Sequence, residues 1–209
     1  QELQQLDFER RDVEYFYTRQ RRQLGLGHAV LCSKSLVGSQ PFVVALGDSI
    51  IGINAKSDIV QRMTEEFESS KADIVVAFEE VPKADVVRYG IAKPRGEVGT
   101  RFELEDLIEK PSIEEAPSTY AVASRYVLSP AIFEALEETE PGKGGEIQLT
   151  DAIRILLKRG AKGVGMVLPS DERRFDIGNF GSYFRAFADF ALADPDYGDQ
   201  LRDYLRGVL

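Results

Sequence analysis

Short, continuous apolar runs alternate along the chain with stretches whose apolar residues recur every three or four positions. Phe42-Val43-Val44-Ala45-Leu46, Ile74-Val75-Val76-Ala77-Phe78 and Val164-Gly165-Met166-Val167-Leu168 offer no polar residue to turn toward water. They read as buried strands, the first as a central parallel strand covered on both faces. Val13-Glu14-Tyr15-Phe16-Tyr17 also reads as a strand from its aromatic content, after a charged segment 1–12 read as helical or frayed. Ile59, Val60, Met63 and Phe67 share one side of a helix that Ser57 can cap. Leu149, Ala152, Ile153, Leu156 and Leu157 form a single i, i+3, i+4, i+7, i+8 stripe, and Ser129-Pro130 opens a further helix. Phe180, Tyr183, Phe184, Phe187, Phe190 and Ala191 mark another helix, and Leu201, Tyr204, Leu205 and Val208 a last one within 194–209. Residues 86–128 differ: short strand-like pieces separated by Pro94, Gly96, Gly99, Pro111 and Pro117, as in a β-ribbon excursion from a main sheet. Strands alternating with helices predict one α/β domain over 1–209, a mostly parallel sheet with flanking helices. Ligands of such sheets bind beyond the carboxyl ends of the strands.

Composition narrows the function classes. Hydrophobic residues at 43% and charged ones at 29% support a packed core rather than a disordered chain. The net charge of −9, from 26 Lys and Arg against 35 Asp and Glu, excludes the basic face that a nucleic-acid backbone requires, though not a single nucleotide at a local site. One cysteine, Cys32, makes no intramolecular disulfide, and no apolar run approaches the ~18 residues that span a bilayer. The expected setting is therefore cytoplasmic, with no membrane contact. There is no Cys/His metal spacing and no Walker P-loop.

Three charged clusters fall where a strand-end site is expected. Asp48, after Gly47 at the end of the first buried run, is placed to hold a hard cation such as Mg²⁺, which takes a few carboxylates plus substrate phosphate oxygens. A capping or turn aspartate is the plain alternative. Glu109-Lys110-Pro111 closes another strand: near a turn both heads can reach one cavity, the lysine for a phosphate and the glutamate for sugar hydroxyls, the alternative being a solvated ion pair. In Arg173-Arg174-Phe175-Asp176-Ile177-Gly178-Asn179, Asp176 lies between apolar neighbours ahead of a Gly-Asn turn and reads as a buried carboxylate in want of a partner or a metal, or as a satisfied structural aspartate. Upstream, Gly25-Leu26-Gly27-His28-Ala29-Val30 is a glycine loop opening a short helix, and the Gln20 amide can pair with a base edge. His28 reads as a helix-start packing residue and Cys32 as a small core residue.

The order of these pieces is more specific than any one of them. Thr18-Arg19-Gln20, the segment Gly25 to Cys32, Val44-Ala45-Leu46-Gly47-Asp48, Tyr89-Gly90, Glu109-Lys110-Pro111, Arg125-Tyr126-Val127-Leu128, the segment Gly145 to Ile153 and Phe175-Asp176-Ile177-Gly178-Asn179 follow in series. Over about residues 13–190 the series resembles the sugar nucleotidyltransferases of the bacterial UTP–glucose-1-phosphate uridylyltransferase (UDP-glucose pyrophosphorylase) family. The resemblance implies a Rossmann-like nucleotide-diphospho-sugar transferase fold, Mg²⁺ as cofactor, UTP and glucose-1-phosphate as substrates, and a homo-oligomer, for which the acidic helices at 130–140 and 145–159 are candidate contacts. It implies uracil recognition at Gln20 and the Gly25 backbone, metal ligation at Asp48 and, from related enzymes, Asp176. Glucose would be held at Gly90 and Glu109, and its phosphate at Lys110.

Two departures qualify what is carried over. Ser124 stands in Ala123-Ser124-Arg125-Tyr126 where the family usually has glycine against the sugar, so its side chain either narrows the sugar pocket or adds a hydrogen bond to it. That keeps a thymidylyl- or other hexose-1-phosphate nucleotidyltransferase as an alternative, beside a catalytically inactive nucleotide-sugar-binding module. The family's glycine-rich, triphosphate-gripping segment and the β-α units around it are not among the 209 residues, which begin with Gln1. The expectation is an N-terminally truncated chain, inactive alone.

Overall fold

The computed structural model describes residues 13–53 and 56–209. The apolar run Ile74–Glu80 forms β3 and Gly163–Val167 forms β7, and these two pair in parallel from Ile74 against Gly163 to Phe78 against Val167. Between β3 and β1 (Phe42–Ala45) lies β6 (Tyr120–Leu128), antiparallel to both. On the far side of β7, β5 (Arg101–Glu109) pairs antiparallel with it and with β4 (Gly90–Arg95). The six strands run β1-β6-β3-β7-β5-β4, and β4 also meets β6 at Ile91 against Ala121. The sheet is therefore mixed and not mostly parallel, since β3–β7 is its one parallel pairing among the described residues. A continuous apolar run reports burial on two faces but carries no direction. Direction follows from the connection, and the segment between β5 and β6 contains no crossover helix that would bring the chain back in parallel.

β1 departs from expectation in the same way. Among the described residues β6 is its one partner and runs antiparallel to it, with Val43 42% exposed. Residues 13–17 are irregular rather than a strand, with Tyr17 91% exposed; no described segment pairs with them, and aromatic content alone leaves strand hydrogen bonds unmade. The expectation for 1–12 lies outside the described residues.

Helices follow their stripes more closely. α1 (Leu26–Leu31) and α2 (Lys34–Val37) are short. α3 (Ile59–Ser70) buries Ile59 and Met63, and the Ser57 hydroxyl accepts the Ile59 N–H at 3.1 Å. α4 (Ala131–Glu138) starts after Pro130, and α5 (Leu149–Lys158) buries Leu149, Ala152, Ile153 and Leu156. One core layer joins α4 and α5 to β3, β5 and β6 through Phe78, Phe102, Phe133, Leu136 and Ile153; a second, on the other side, packs Met63 of α3 against Val75, Ala77 and Val127. A small separate sheet pairs β2 (Ser49–Ile51) with β8 (Arg174–Asp176). α6 (Phe180–Ala193) and α7 (Gly198–Val208) complete the chain. Phe190 of α6 meets Phe175 edge-on, while Phe180, Phe184 and Phe187 remain exposed, so this aromatic stripe is only partly core. Among the described residues no helix is long and apolar enough to cross a membrane.

Candidate functional site

A cavity of about 300 Å³ opens over the ends of β1 and β5, the start of β4, the middle of β6 and β8, and collects Asp48, Gly90, Glu109, Lys110, Ser124 and Asp176. Six of the eight residues singled out in the sequence thus line one space.

The two aspartates arrive through the small sheet. Asp48 sits in the turn from β1 to β2, and β2–β8 pairing sets Ser49 opposite Asp176. A methyl group built on Gly178 would lie 3.1 Å from Asp48 Oδ2 and 3.2 Å from Asp176 Oδ1, so both carboxylates converge on a spot that only glycine leaves open. Asp176 Oδ1 also accepts the Gly178 N–H at 2.8 Å, and the Asp48 carbonyl accepts the Ile177 N–H at 2.8 Å. Asp176 is half-buried rather than buried; the inward residue of β8 is Phe175. No three Asp, Glu, His or Cys side chains form a metal cage among the described residues. Two convergent carboxylates in an open site do fit a hard cation that completes its shell with phosphate oxygens and water.

Arg125 secures the Asp48 turn. Its guanidinium donates to the carbonyls of Ser49 (2.7 Å), Ser124 (3.0 Å) and Leu46 (3.3 Å), spanning both ends of the turn. Burial depresses its pKa, and the Asp48 charge partly restores it. Arg125→Met removes these donors from partly buried carbonyls and is expected to lower stability by about 2 kcal/mol in urea unfolding. A loss below about 0.5 kcal/mol would mean that backbone pairing alone holds the turn.

The Glu109-Lys110 cluster lies at a turn that brings both side chains to one cavity. Glu109 ends β5 opposite Gly90, and Lys110 takes a left-handed φ of 44° while its N–H donates to the Tyr89 carbonyl at 2.9 Å. That twist brings Lys110 Nζ to 3.4 Å from Glu109 Oε1, with both residues on the cavity. Thr150, early in α5, donates its hydroxyl to Glu109 Oε2 at 2.8 Å. A methyl on Gly90 would press on both, at 3.3 Å from Glu109 Oε2 and from Thr150 Oγ1.

Gln20 and Gly25 stand beside the cavity, whose wall begins at Leu26. Gln20 Nε2 donates to the Gly25 carbonyl at 3.0 Å and lies 2.9 Å from His28 Nδ1. Gly25 has φ 95°, and a Cβ there would lie 2.7 Å from Glu146 Cβ and 2.8 Å from the Ile147 carbonyl. The Gly27 N–H donates to that carbonyl at 2.8 Å and the Ile147 N–H to Leu24 at 2.7 Å. The two most distinctive motifs of the sequence are thus laced together, and α5 ties the glycine loop to Glu109 through Thr150. Cys32 is half-buried near His28 rather than a core residue.

Arg174 belongs to the same charged stretch as Asp176, but the sequence assigned it no role. Its side chain is 7% exposed, bonds Glu79 Oε1 at 2.5 Å and stacks over Tyr89 at 5.1 Å. Burial works against its charge, but Glu79 and Tyr89 more than compensate and its pKa is raised. Alternation along β8 places Arg174 on the face of Asp176, a signal the sequence carried. Tyr126, also on the cavity wall, is fully buried, and burial followed by the Glu109 charge pushes its phenol pKa up.

A family model described as nucleotidyl transferase matches residues 1–192. A UTP–glucose-1-phosphate uridylyltransferase of Bacillus subtilis is 37% identical over 199 residues, covering 94% of this chain and 65% of the relative. Another, of Staphylococcus epidermidis, is 35% identical over 191 residues, 91% of this chain and 64% of the relative. The chain thus spans slightly under two thirds of these relatives' length. Among solved structures, a UDP-glucose pyrophosphorylase complexed with UDP-glucose superposes with a TM-score of 0.75 at 37% identity, over 82% of this chain and 64% of that one. The UTP-bound enzyme of Acinetobacter baumannii superposes with a TM-score of 0.80 at 32% identity, over 98% of this chain and 70% of the other. With that match along most of its length, and with its acidic and basic motifs gathered at one cavity, the chain belongs to the nucleotidyl transferase family.

Proposed function

We propose that the whole protein is a UTP–glucose-1-phosphate uridylyltransferase. The observation that carries this reading is the convergence of Asp48 and Asp176 on Gly178, in the same cavity as Glu109 and Lys110. The names and sequence identities of the relatives support it. A phosphate oxygen of glucose-1-phosphate attacks the α-phosphorus of UTP, the bond to the bridging oxygen of the β-phosphate breaks, and pyrophosphate leaves. The nucleophile is already an anion, so no general base is needed. The obstacle is repulsion between two polyanions, about 4 kcal/mol for unit charges 4 Å apart at an effective dielectric near 20. Mg²⁺, which Asp48 and Asp176 would hold, supplies positive charge at the phosphates when bound. Lys110 pairs with the sugar phosphate and fixes its approach. Glu109, oriented by Thr150, accepts sugar hydroxyls, and Gly90 keeps the floor of the cavity low enough for the ring. The Gln20 amide and the backbone at Gly25 read the uracil edge.

Pyrophosphate release from UTP, dTTP, GTP and CTP with glucose-1-phosphate tests the reading, with UTP expected to lead. Preference for dTTP would favour the thymidylyl alternative, for which one neighbour speaks: a putative glucose-1-phosphate thymidylyltransferase of Bacillus anthracis superposes with a TM-score of 0.68 at 27% identity. Binding of UDP-glucose without pyrophosphate release would mark an inactive binding module. Lys110→Ala is expected to raise KM for glucose-1-phosphate about 10- to 100-fold, the worth of a charge-assisted hydrogen bond, with less effect on KM for UTP. An unchanged KM for glucose-1-phosphate would remove Lys110 from the phosphate. The reading also includes a cytoplasmic homo-oligomer, which light scattering of the purified protein checks.

A further inference from the structure

His28 is the one histidine in the chain, and from α1 its ring reaches Gln20, the side chain proposed to read the base. Gln20 Nε2 stands within reach of two groups at once, the Gly25 carbonyl at 3.0 Å and His28 Nδ1 at 2.9 Å. The carbonyl can only accept, and it also takes the Ala29 N–H at 3.2 Å. The amide therefore turns its NH₂ toward this corner, and its two hydrogens serve the two neighbours. His28 Nδ1 is then a lone pair, with the ring proton on Nε2. The other neighbour of that nitrogen agrees: Cys32 Sγ, a weak thiol donor, lies 3.8 Å away. Turning the amide over would set its oxygen against two acceptors and break both bonds. Gln20 and His28 are each half-buried, so water compensates less for that loss than at an open surface.

We infer that His28 is a positioning residue for base selection: its Nδ1 lone pair holds the Gln20 amide in one orientation, so that this side chain offers the nucleotide an acceptor and favours uracil over cytosine. The inference rests on the uridylyltransferase reading and deepens it by naming what fixes the base-reading group. An amide has no preference of its own, since one side accepts and the other donates. With both N–H groups engaged, Gln20 has its carbonyl oxygen to offer. The imide N–H of uracil donates to such an oxygen, whereas cytosine carries a lone pair on the same ring nitrogen. Two lone pairs set face to face leave both groups unpaired, a stronger rejection than a difference in size provides. Thymine has the same imide edge as uracil, so this device separates UTP from CTP and not UTP from dTTP.

Calorimetric affinities of UTP and CTP for the whole protein, His28→Phe and His28→Asn test it. His28→Phe keeps a ring without the lone pair, and His28→Asn keeps an acceptor near the place of Nδ1 without the ring. The preference for UTP over CTP is expected to fall about three- to tenfold in His28→Phe, the worth of one neutral hydrogen bond, and to stay within about twofold in His28→Asn. A packing role would give the opposite order and overturn the inference. An unchanged preference in His28→Phe, or its loss in both variants, would likewise overturn it and leave the uridylyltransferase reading standing. Independently of either variant, ring-nitrogen NMR of the unmodified protein is expected to show the neutral His28 ring with Nδ1 bare and Nε2 protonated; a proton on Nδ1 would overturn the inference. No UTP binding by the unmodified protein would overturn the uridylyltransferase reading, and this inference with it.

Discussion

Asp48→Ala is expected to reduce UDP-glucose synthesis by the whole protein at least about a hundredfold, with Tm within a few degrees of the parent. Partners that merely orient a metal ligand are worth about 10- to 100-fold, so a direct ligand should exceed that range. The fold should tolerate the change because the structural work at this position is done elsewhere. The Asp48 carbonyl, not its carboxylate, binds the Ile177 N–H, and Arg125 holds the turn through the carbonyls of Leu46 and Ser49. The exposed carboxylate faces Gly178 and a second carboxylate, so the attraction for Arg125 that is lost with it is offset by relief of that repulsion. Pyrophosphate release across a Mg²⁺ titration, beside thermal unfolding, checks both halves. Activity within threefold of the parent at saturating Mg²⁺ would take Asp48 out of the metal site.

Gly25→Ala should act through structure instead. A left-handed φ of 95° with ψ 174° lies in a region that essentially only glycine populates, and a Cβ would meet Glu146 Cβ at 2.7 Å and the Ile147 carbonyl at 2.8 Å. Strain of about 1–3 kcal/mol and overpacking of a similar size both apply, and part of each is relieved by the same backbone shift. The expected loss is about 2–4 kcal/mol in urea unfolding, with weaker UTP binding because Gln20 is anchored on the Gly25 carbonyl. The damage should reach Glu109 as well, since Glu146 and Ile147 lead directly into α5 and Thr150. A variant of parental stability and UTP affinity would show that the glycine loop and the 146–150 segment are not mechanically joined.

Much of the site was legible residue by residue. The Glu109-Lys110 pair could be assigned to one cavity because a turn follows it, and the structure supplies the means in the left-handed Lys110. Arg174 was equally available from β-strand alternation with Asp176 but carried no motif of its own. Thr150 was hidden inside a helix stripe: its neighbours Leu149 and Ala152 explain the helix, and nothing in that pattern says that its hydroxyl meets a carboxylate on another strand.

The sequence by itself determined the helices with a clear apolar stripe, the buried runs that become β1, β3 and β7, which residues carry chemistry, and the family to which they belong, because side-chain pattern and motif order are properties of the linear chain. It misjudged strand direction and the irregular 13–17 segment, because both depend on which neighbour supplies backbone hydrogen bonds. Only the tertiary structure decided that Asp48 and Asp176, distant along the chain, meet at Gly178, and that Ser124 takes a left-handed φ on the cavity wall. Convergence of that kind is set by sheet pairing and core packing, which no local pattern encodes.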